Sequence, residues 1–203
     1  MEKEKILEFI HHAETLKNEL RHSWTSKDRQ ESVAEHCWRM SIMALAIAPE
    51  LDEKIDLCKV LKMVAIHDLG EIAAGDVPAF DKKGKEEQEK IEKESMKELG
   101  KDYSDILDLW QEAEECETPE AKFVRALDKL EVRIQHNESK MERWNDIEFP
   151  RSQYIPDKWC EYDKFLKEFN ELVKKEAKKK IEGESDKDFQ EVLKEAERLK
   201  QNP

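Results

Sequence analysis

Two histidines and four carboxylates carry the chemistry that this sequence suggests. His67 and Asp68 end an apolar run within "KMVAIHDLGEIAAGDVP", Lys62 to Pro78, and Glu71 and Asp76 follow directly. His36 stands just after "SVAE", and Asp128 lies within "FVRALDKLEV". Imidazole nitrogens and carboxylate oxygens together make an N2O2 set suited to a divalent transition metal. Such a metal makes water more acidic, and a carboxylate at the place of Glu71 accepts or relays the proton during attack on phosphorus. Each residue also has a plainer reading alone. His36 packs inside a helix, Asp128 is exposed or pairs with Arg125, and Asp76 satisfies the backbone of its turn.

Helices must bring these groups together, because apolar residues recur mostly at three- and four-residue spacings, with only five glycines and six prolines. The spacing predicts a first helix over about Lys3 to Leu20 and then a loop, "RHSWTSKDRQE", holding Arg21 and Trp24. A second helix opens at Ser32, with Glu35 reaching back to cap it, and stops at Pro49. Val33, Cys37, Met40, Ala44 and Ile47 line one face, and Ala34, Trp38, Ile42 and Leu45 line another, which predicts burial of most of that helix. A third, about Lys54 to His67, is also central. Asp68 at its C-terminus is poorly placed against the helix dipole and calls for a nearby positive group.

After Pro78, "DKKGKEEQEKIEKESMKELG" reads as a lid-like loop and a solvated helix ending at Gly100. A helix with "SDILDLWQEAEE" follows. In the next, Thr118 caps and Pro119 takes the first position, and Asp128 shares a row with Val124 and Val132 beside Phe123, Leu127, Leu130 and Ile134. An irregular link, "RWNDIEFPRSQYIPDKW", precedes a charged helix with Phe165, Phe169 and Leu172, and a last helix follows Ser185. The expected architecture is all-α, a single helical bundle with the metal site between central helices. Residues 1–182 form the core, and 183–203 a C-terminal helix that packs on it, extends or frays.

With 42% charged residues and a formal net charge of -13, the surface repels nucleic acid polymers, though a small anion at a metal remains compatible. Four separated cysteines read as reduced core thiols of a cytosolic protein. No signal-like or membrane-spanning run is seen, which places the chain in the cytoplasm without a membrane role.

The motifs "SVAEH", "HDLGEIAAGDVP" and "ALDKLE", in that order over about Leu16 to Gln135, resemble the HD-domain metal-dependent phosphohydrolases, in the branch of the 5′-deoxyribonucleotidases. The resemblance implies one divalent metal, cobalt or manganese before zinc, iron or magnesium, on His36, His67, Asp68 and Asp128. It implies catalytic roles for Glu71 and Asp76, and Asp76 would also position the nucleotide. Arg21, fifteen residues before His36, would contact phosphate. Trp24 would stack on base or sugar or support the loop; other members carry the aromatic residue directly after the arginine, where this chain has His22. The implied reaction is hydrolysis of nucleoside 5′-monophosphates to nucleoside and phosphate. Cyclic, triphosphate or pyrophosphorylated nucleotides are the rival substrates, and a non-catalytic metal-binding module is the rival role. The resemblance also implies a homodimer, to which the aromatic residues around Trp144, Tyr154 and Trp159, expected to be exposed, could contribute. His11, His12 and His136 match no motif and read as ordinary helix residues.

Overall fold

Ser32 starts the helix around which the site is built. Its hydroxyl accepts from the Glu35 backbone N–H at 3.3 Å, and the Glu35 carboxylate accepts from the Ser32 N–H at 3.0 Å. This reciprocal cap, worth about 1 kcal/mol, fixes the start of α2 (Val33–Ile47). The computed structural model describes residues 2–75 and 82–201, so Asp76, Pro78 and the expected lid-like loop lie outside the described residues.

Helix α2 buries Val33, His36, Met40, Ala44 and Ile47 against α3 (Leu57–Ile66) and α7 (Pro119–Glu138). Its second apolar face does not follow the expectation: Trp38, Ile42 and Leu45 are 66%, 49% and 50% exposed. One stripe of the helix meets the bundle, and the other faces outward in the single chain. Phe123, Leu127 and Leu130 of α7 pack with Met40, Val60 and Val64, and Leu166 and Val173 of α10 (Lys164–Glu184) complete this core. Asp56 caps α3 and Thr118 caps α7 through their side-chain oxygens, at 3.1 and 3.3 Å.

The N-terminal region departs from the expected long helix and loop. Helix α1 spans Lys3–Ala13, a 3₁₀ turn covers Glu14–Lys17, and β1 (Leu20–Trp24) pairs antiparallel with β2 (Gln30–Ser32). Leu20 lies opposite Ser32 and Trp24 opposite Gln30, with an irregular register between them. The strand hides from a hydropathy reading because its buried positions are Arg21 and Ser23, not apolar residues. Its polar inward face is what brings Arg21 to the site.

Beyond α4 (Glu71–Ala74) come α5 (Lys82–Leu99) and α6 (Ser104–Glu115). After α7 the irregular link contains α8 (Glu148–Arg151) and α9 (Asp157–Cys160). Trp144 is a core residue rather than an exposed aromatic one: it is 7% exposed, and its indole N–H donates to the His136 carbonyl at 2.9 Å. Trp144 and Phe149 form a second core with Ala177, Ile181, Phe189 and Val192, so α11 (Phe189–Gln201) packs on the bundle. Helix α10 runs through Gly183 to Glu184. Of the four free cysteines only Cys160 is buried; Cys58 is exposed, and Cys37 and Cys116 are half-buried. No described helix is long and apolar enough to cross a membrane.

Candidate metal centre and cleft

Three helices deliver the ligand set. His36 comes from the first turn of α2, His67 caps the C-terminus of α3 with Asp68 beside it, and Asp128 projects from the middle of α7. Ligand atoms of His36, His67 and Asp128 lie within 4.8 Å of one another. His36 Nε2 is 3.5 Å from Asp128 Oδ1 and 4.0 Å from Asp68 Oδ2, and His67 Nε2 is 3.2 Å from Asp68 Oδ1.

The far side of each ring sets its direction. His36 Nδ1 lies 2.6 Å from the buried Glu131 carboxylate, and His67 Nδ1 lies 2.9 Å from the Val64 carbonyl. Each partner holds a proton on Nδ1 and turns the Nε2 lone pair toward the carboxylates. His36 Nε2, His67 Nε2 and Asp68 Oδ2 are buried with no hydrogen-bond partner. Two imidazole nitrogens, which are acceptors when neutral, and a carboxylate oxygen converge here without partners, and a divalent cation that displaces the ring protons would satisfy all of them.

Electrostatics agree with a cation-binding cluster. Burial pushes the Asp68 carboxyl up, but His67, His36 and Arg21 outweigh it and hold the group well below the usual carboxylate range. Asp128 likewise falls far below its ordinary value because Lys129 and His36 overcome burial. Burial and Arg21 press His36 down while Glu131 and Asp128 raise it further, so its net shift is upward. His67 is raised well above its ordinary value, Asp68 and Cys37 overcoming burial. Cys37 also meets His67 and Asp68, but burial raises its thiol and keeps it protonated, a poor ligand beside the carboxylates.

Glu71 and Arg21 line the same cleft. Arg21 Nη1 is 3.6 Å from Asp68 Oδ2 and its Nε is 3.5 Å from Glu31, which supplies the positive group that Asp68 called for. The chain keeps turning after His67, with the Glu71 N–H donating to the Asp68 carbonyl at 3.0 Å, so the buried Glu71 side chain lines the cleft with His67, Asp68 and Asp128. Trp24 is not among the cleft-lining residues: its ring lies 3.8 Å from the Arg143 guanidinium, and its carbonyl accepts from Gln135 at 2.7 Å. His22 lines the cleft instead.

Sequence reasoning missed Glu131, Gln88 and the C-terminal wall of the cleft. Glu131 follows Leu127 by one helical turn, on a face otherwise apolar, which was the available signal. Gln88 sits in the run read as solvated, yet it is 2% exposed and donates to the Gly75 carbonyl at 2.7 Å and Glu71 at 3.4 Å. It shares a helical row with the buried Met96. Gly70 permits this contact, since a Cβ there would come within 2.8 Å of Glu92 Cβ and 3.2 Å of its Cα. Gly75, at φ 75°, takes the positive-φ conformation that ends α4, which glycine reaches without strain. The cleft, about 820 Å³, extends past Arg125 and Lys129 to Arg133, His136, Glu148, Arg151 and Tyr154.

Comparison with known proteins agrees with this arrangement. The HD domain pattern matches residues 13–158. The 5′-deoxynucleotidase HDDC2 of Dictyostelium discoideum is 37% identical over 141 residues, covering 64% of this chain and 74% of that protein. Its Homo sapiens namesake is 33% identical over 140 residues, covering 66% and 67%. Among solved structures, a predicted metal-dependent phosphohydrolase from Magnetospirillum magnetotacticum MS-1 superposes with a TM-score of 0.69 at 26% identity, over 85% of this chain and 91% of that one. The PH0347 protein of Pyrococcus horikoshii OT3 gives 0.64 at 27% identity, over 84% and 99%. Matched well beyond half its length, this chain belongs to the HD-domain family.

Proposed function

We propose that this chain is a phosphoric monoester hydrolase that converts nucleoside 5′-monophosphates to nucleoside and phosphate, with one divalent metal on His36, His67, Asp68 and Asp128. The carrying observation is the convergence of unpartnered buried ligand atoms on three helices, with Arg21 and Glu71 at the same cleft. Held by these four residues, a divalent metal would supply Lewis acidity and lower the pKa of a bound water. Arg21 binds phosphate oxygens through its forked donors and offsets their growing charge. Glu71, held by Gln88, takes the proton of the attacking water. Asp76 positions the nucleotide. Trp24, stacked under Arg143, anchors the hairpin that presents Arg21, and His22 is the ring nearer the substrate.

Cobalt and manganese are the first metals to test, before zinc, iron and magnesium. The names of the curated relatives favour deoxyribonucleotides among the substrates. The test is phosphate release by the metal-loaded protein from a panel of mono-, di-, tri- and cyclic nucleotides. Release from deoxyribonucleoside 5′-monophosphates is expected, and none from any of them overturns the reading. The reading includes a cytoplasmic homodimer, which the exposed stripe of Trp38, Ile42 and Leu45 supports as a face for a second copy. A monomer in sedimentation at micromolar concentration removes that part.

A further inference from the structure

The end of the cleft away from the metal cluster gathers positive charge. Helix α7 supplies Arg133 and His136 to that wall, and α8 with the turn after it supplies Glu148, Arg151 and Tyr154. Arg133 follows Asp128 by five residues, about 7–8 Å along the helix axis. It is 6% exposed, yet its Nε and Nη1 make no hydrogen bond, and neither does the buried Nε of Arg151. No carboxylate among the described residues forms an ion pair with either guanidinium.

Glu148 is the acid on this wall, and both its oxygens are engaged. Oε1 lies 2.6 Å from His136 Nε2, and Oε2 accepts from the Asn145 backbone N–H at 2.5 Å. Burial, with Arg151 beside it, presses Arg133 down against the pull of Glu148, and the balance lies at about 10, so the group stays a cation at neutral pH. Both guanidiniums share this end of the cleft with Glu148, in a chain whose net charge is -13, and the Asp157 and Glu161 carboxylates farther along the lining form no ion pair with either. Burying a cation without a partner is costly, and an anion that arrives through the cleft would remove the cost.

We propose that Arg133 and Arg151 form a second phosphate-binding subsite, for a phosphate group distinct from the one hydrolysed at the metal. The planar forks offer paired N–H donors that match phosphate oxygens, and the wall's exclusion of water strengthens each contact. The phosphate has two sources with the same chemistry: a second phosphoryl group on the substrate, as in a nucleoside 3′,5′-bisphosphate, or free inorganic phosphate. Only the first source rests on the nucleotidase reading.

The test uses the full-length, manganese-loaded protein with Arg133→Met and Arg151→Gln variants. The first arm measures kcat/KM for a deoxyribonucleoside 5′-monophosphate and its 3′,5′-bisphosphate. A bisphosphate preference of at least about tenfold is expected in the wild type, as befits one charge-assisted contact, and a ratio near one in both variants. The ratio cancels any effect on the chemistry common to both substrates. The second arm titrates inorganic phosphate calorimetrically, with two binding events expected in the wild type and one in each variant. A change in the first arm assigns the subsite to substrate, and a change in the second alone assigns it to free phosphate. The same ratio and the same isotherm in all three proteins overturn the proposal. If no nucleotide is hydrolysed at all, the functional reading fails while the isotherms still decide the subsite.

Discussion

Helix α7 runs along both ends of one cleft and buries opposite kinds of unfinished chemistry at each. Around Asp128 the atoms without partners include His36 Nε2, His67 Nε2 and Asp68 Oδ2, which become acceptors for a cation once the rings give up their Nε2 protons. Around Arg133 they are Nε and Nη1 of that residue and Nε of Arg151, all donors. Buried polar groups are ordinarily satisfied, so the sign of what is left over records the sign of the missing ligand. The ends differ in support as well: each imidazole at the metal end is oriented by a partner on its far nitrogen, whereas neither guanidinium is.

The comparison breaks most sharply at Glu71. Glu71→Gln keeps the shape and the contact with Gln88 but removes the base, and kcat is expected to fall by about 10²–10⁴-fold. Metal content by elemental analysis should be unchanged. Retained turnover removes Glu71 from the chemistry and leaves the acceptor-rich end as a holding site only.

Glu131→Gln tests whether orientation matters at that end. The carboxylate is replaced by an amide beside His36 Nδ1, the ring loses its fixed tautomer, and metal affinity is expected to weaken by about 10–100-fold. Competition with a chelator measures it. Equal affinity would mean that helix packing alone aims the ring.

The two ends also differ in how far the sequence reveals them. His67, Asp68 and Glu71 stand out because titratable residues end an apolar helix, and His36 because a cap fixes where α2 starts. Glu131 and His36 are 95 residues apart in sequence, and nothing local says that they touch. Gln88 is masked by the charged residues around it, and the β1 hairpin by the burial of Arg21 and Ser23 in place of apolar side chains. Trp38, Ile42 and Leu45 mislead in the other direction, since periodicity marks an apolar face without saying whether this chain covers it. Arg133 looks like one more charge on a charged helix. Its meaning comes only from its burial and from what Glu148 is already holding.

pH sharpens the acceptor end. In the folded protein without metal, His36 and His67 hold protons more tightly than unfolded imidazoles, which titrate near pH 6.5. Their stabilising contribution is thus fully present below about pH 6.5 and is lost as pH rises through the raised values. The metal needs neutral rings and must displace those protons. Metal affinity should therefore climb by up to about tenfold per pH unit for each proton displaced, and the melting-temperature gain on adding manganese should widen from about pH 6 to about pH 8. A gain that is flat with pH would mean that the rings are already neutral.

The donor end gives the smallest effect and the opposite sign. Arg133→Met places an apolar chain of similar length where an unpaired cation sits, so in phosphate-free buffer the variant should be more stable, by about 1 kcal/mol. Urea unfolding of both proteins at matched metal loading reads the difference. Glu131→Gln, which strips a partner from a buried imidazole, should lower stability in the same assay. Adding phosphate should then narrow the gap between Arg133→Met and the wild type, since only the wild type gains the contact. A destabilised Arg133→Met variant would show that the guanidinium finds a partner within the folded chain, and the contrast between the two ends of α7 would reduce to one functional end and one structural end.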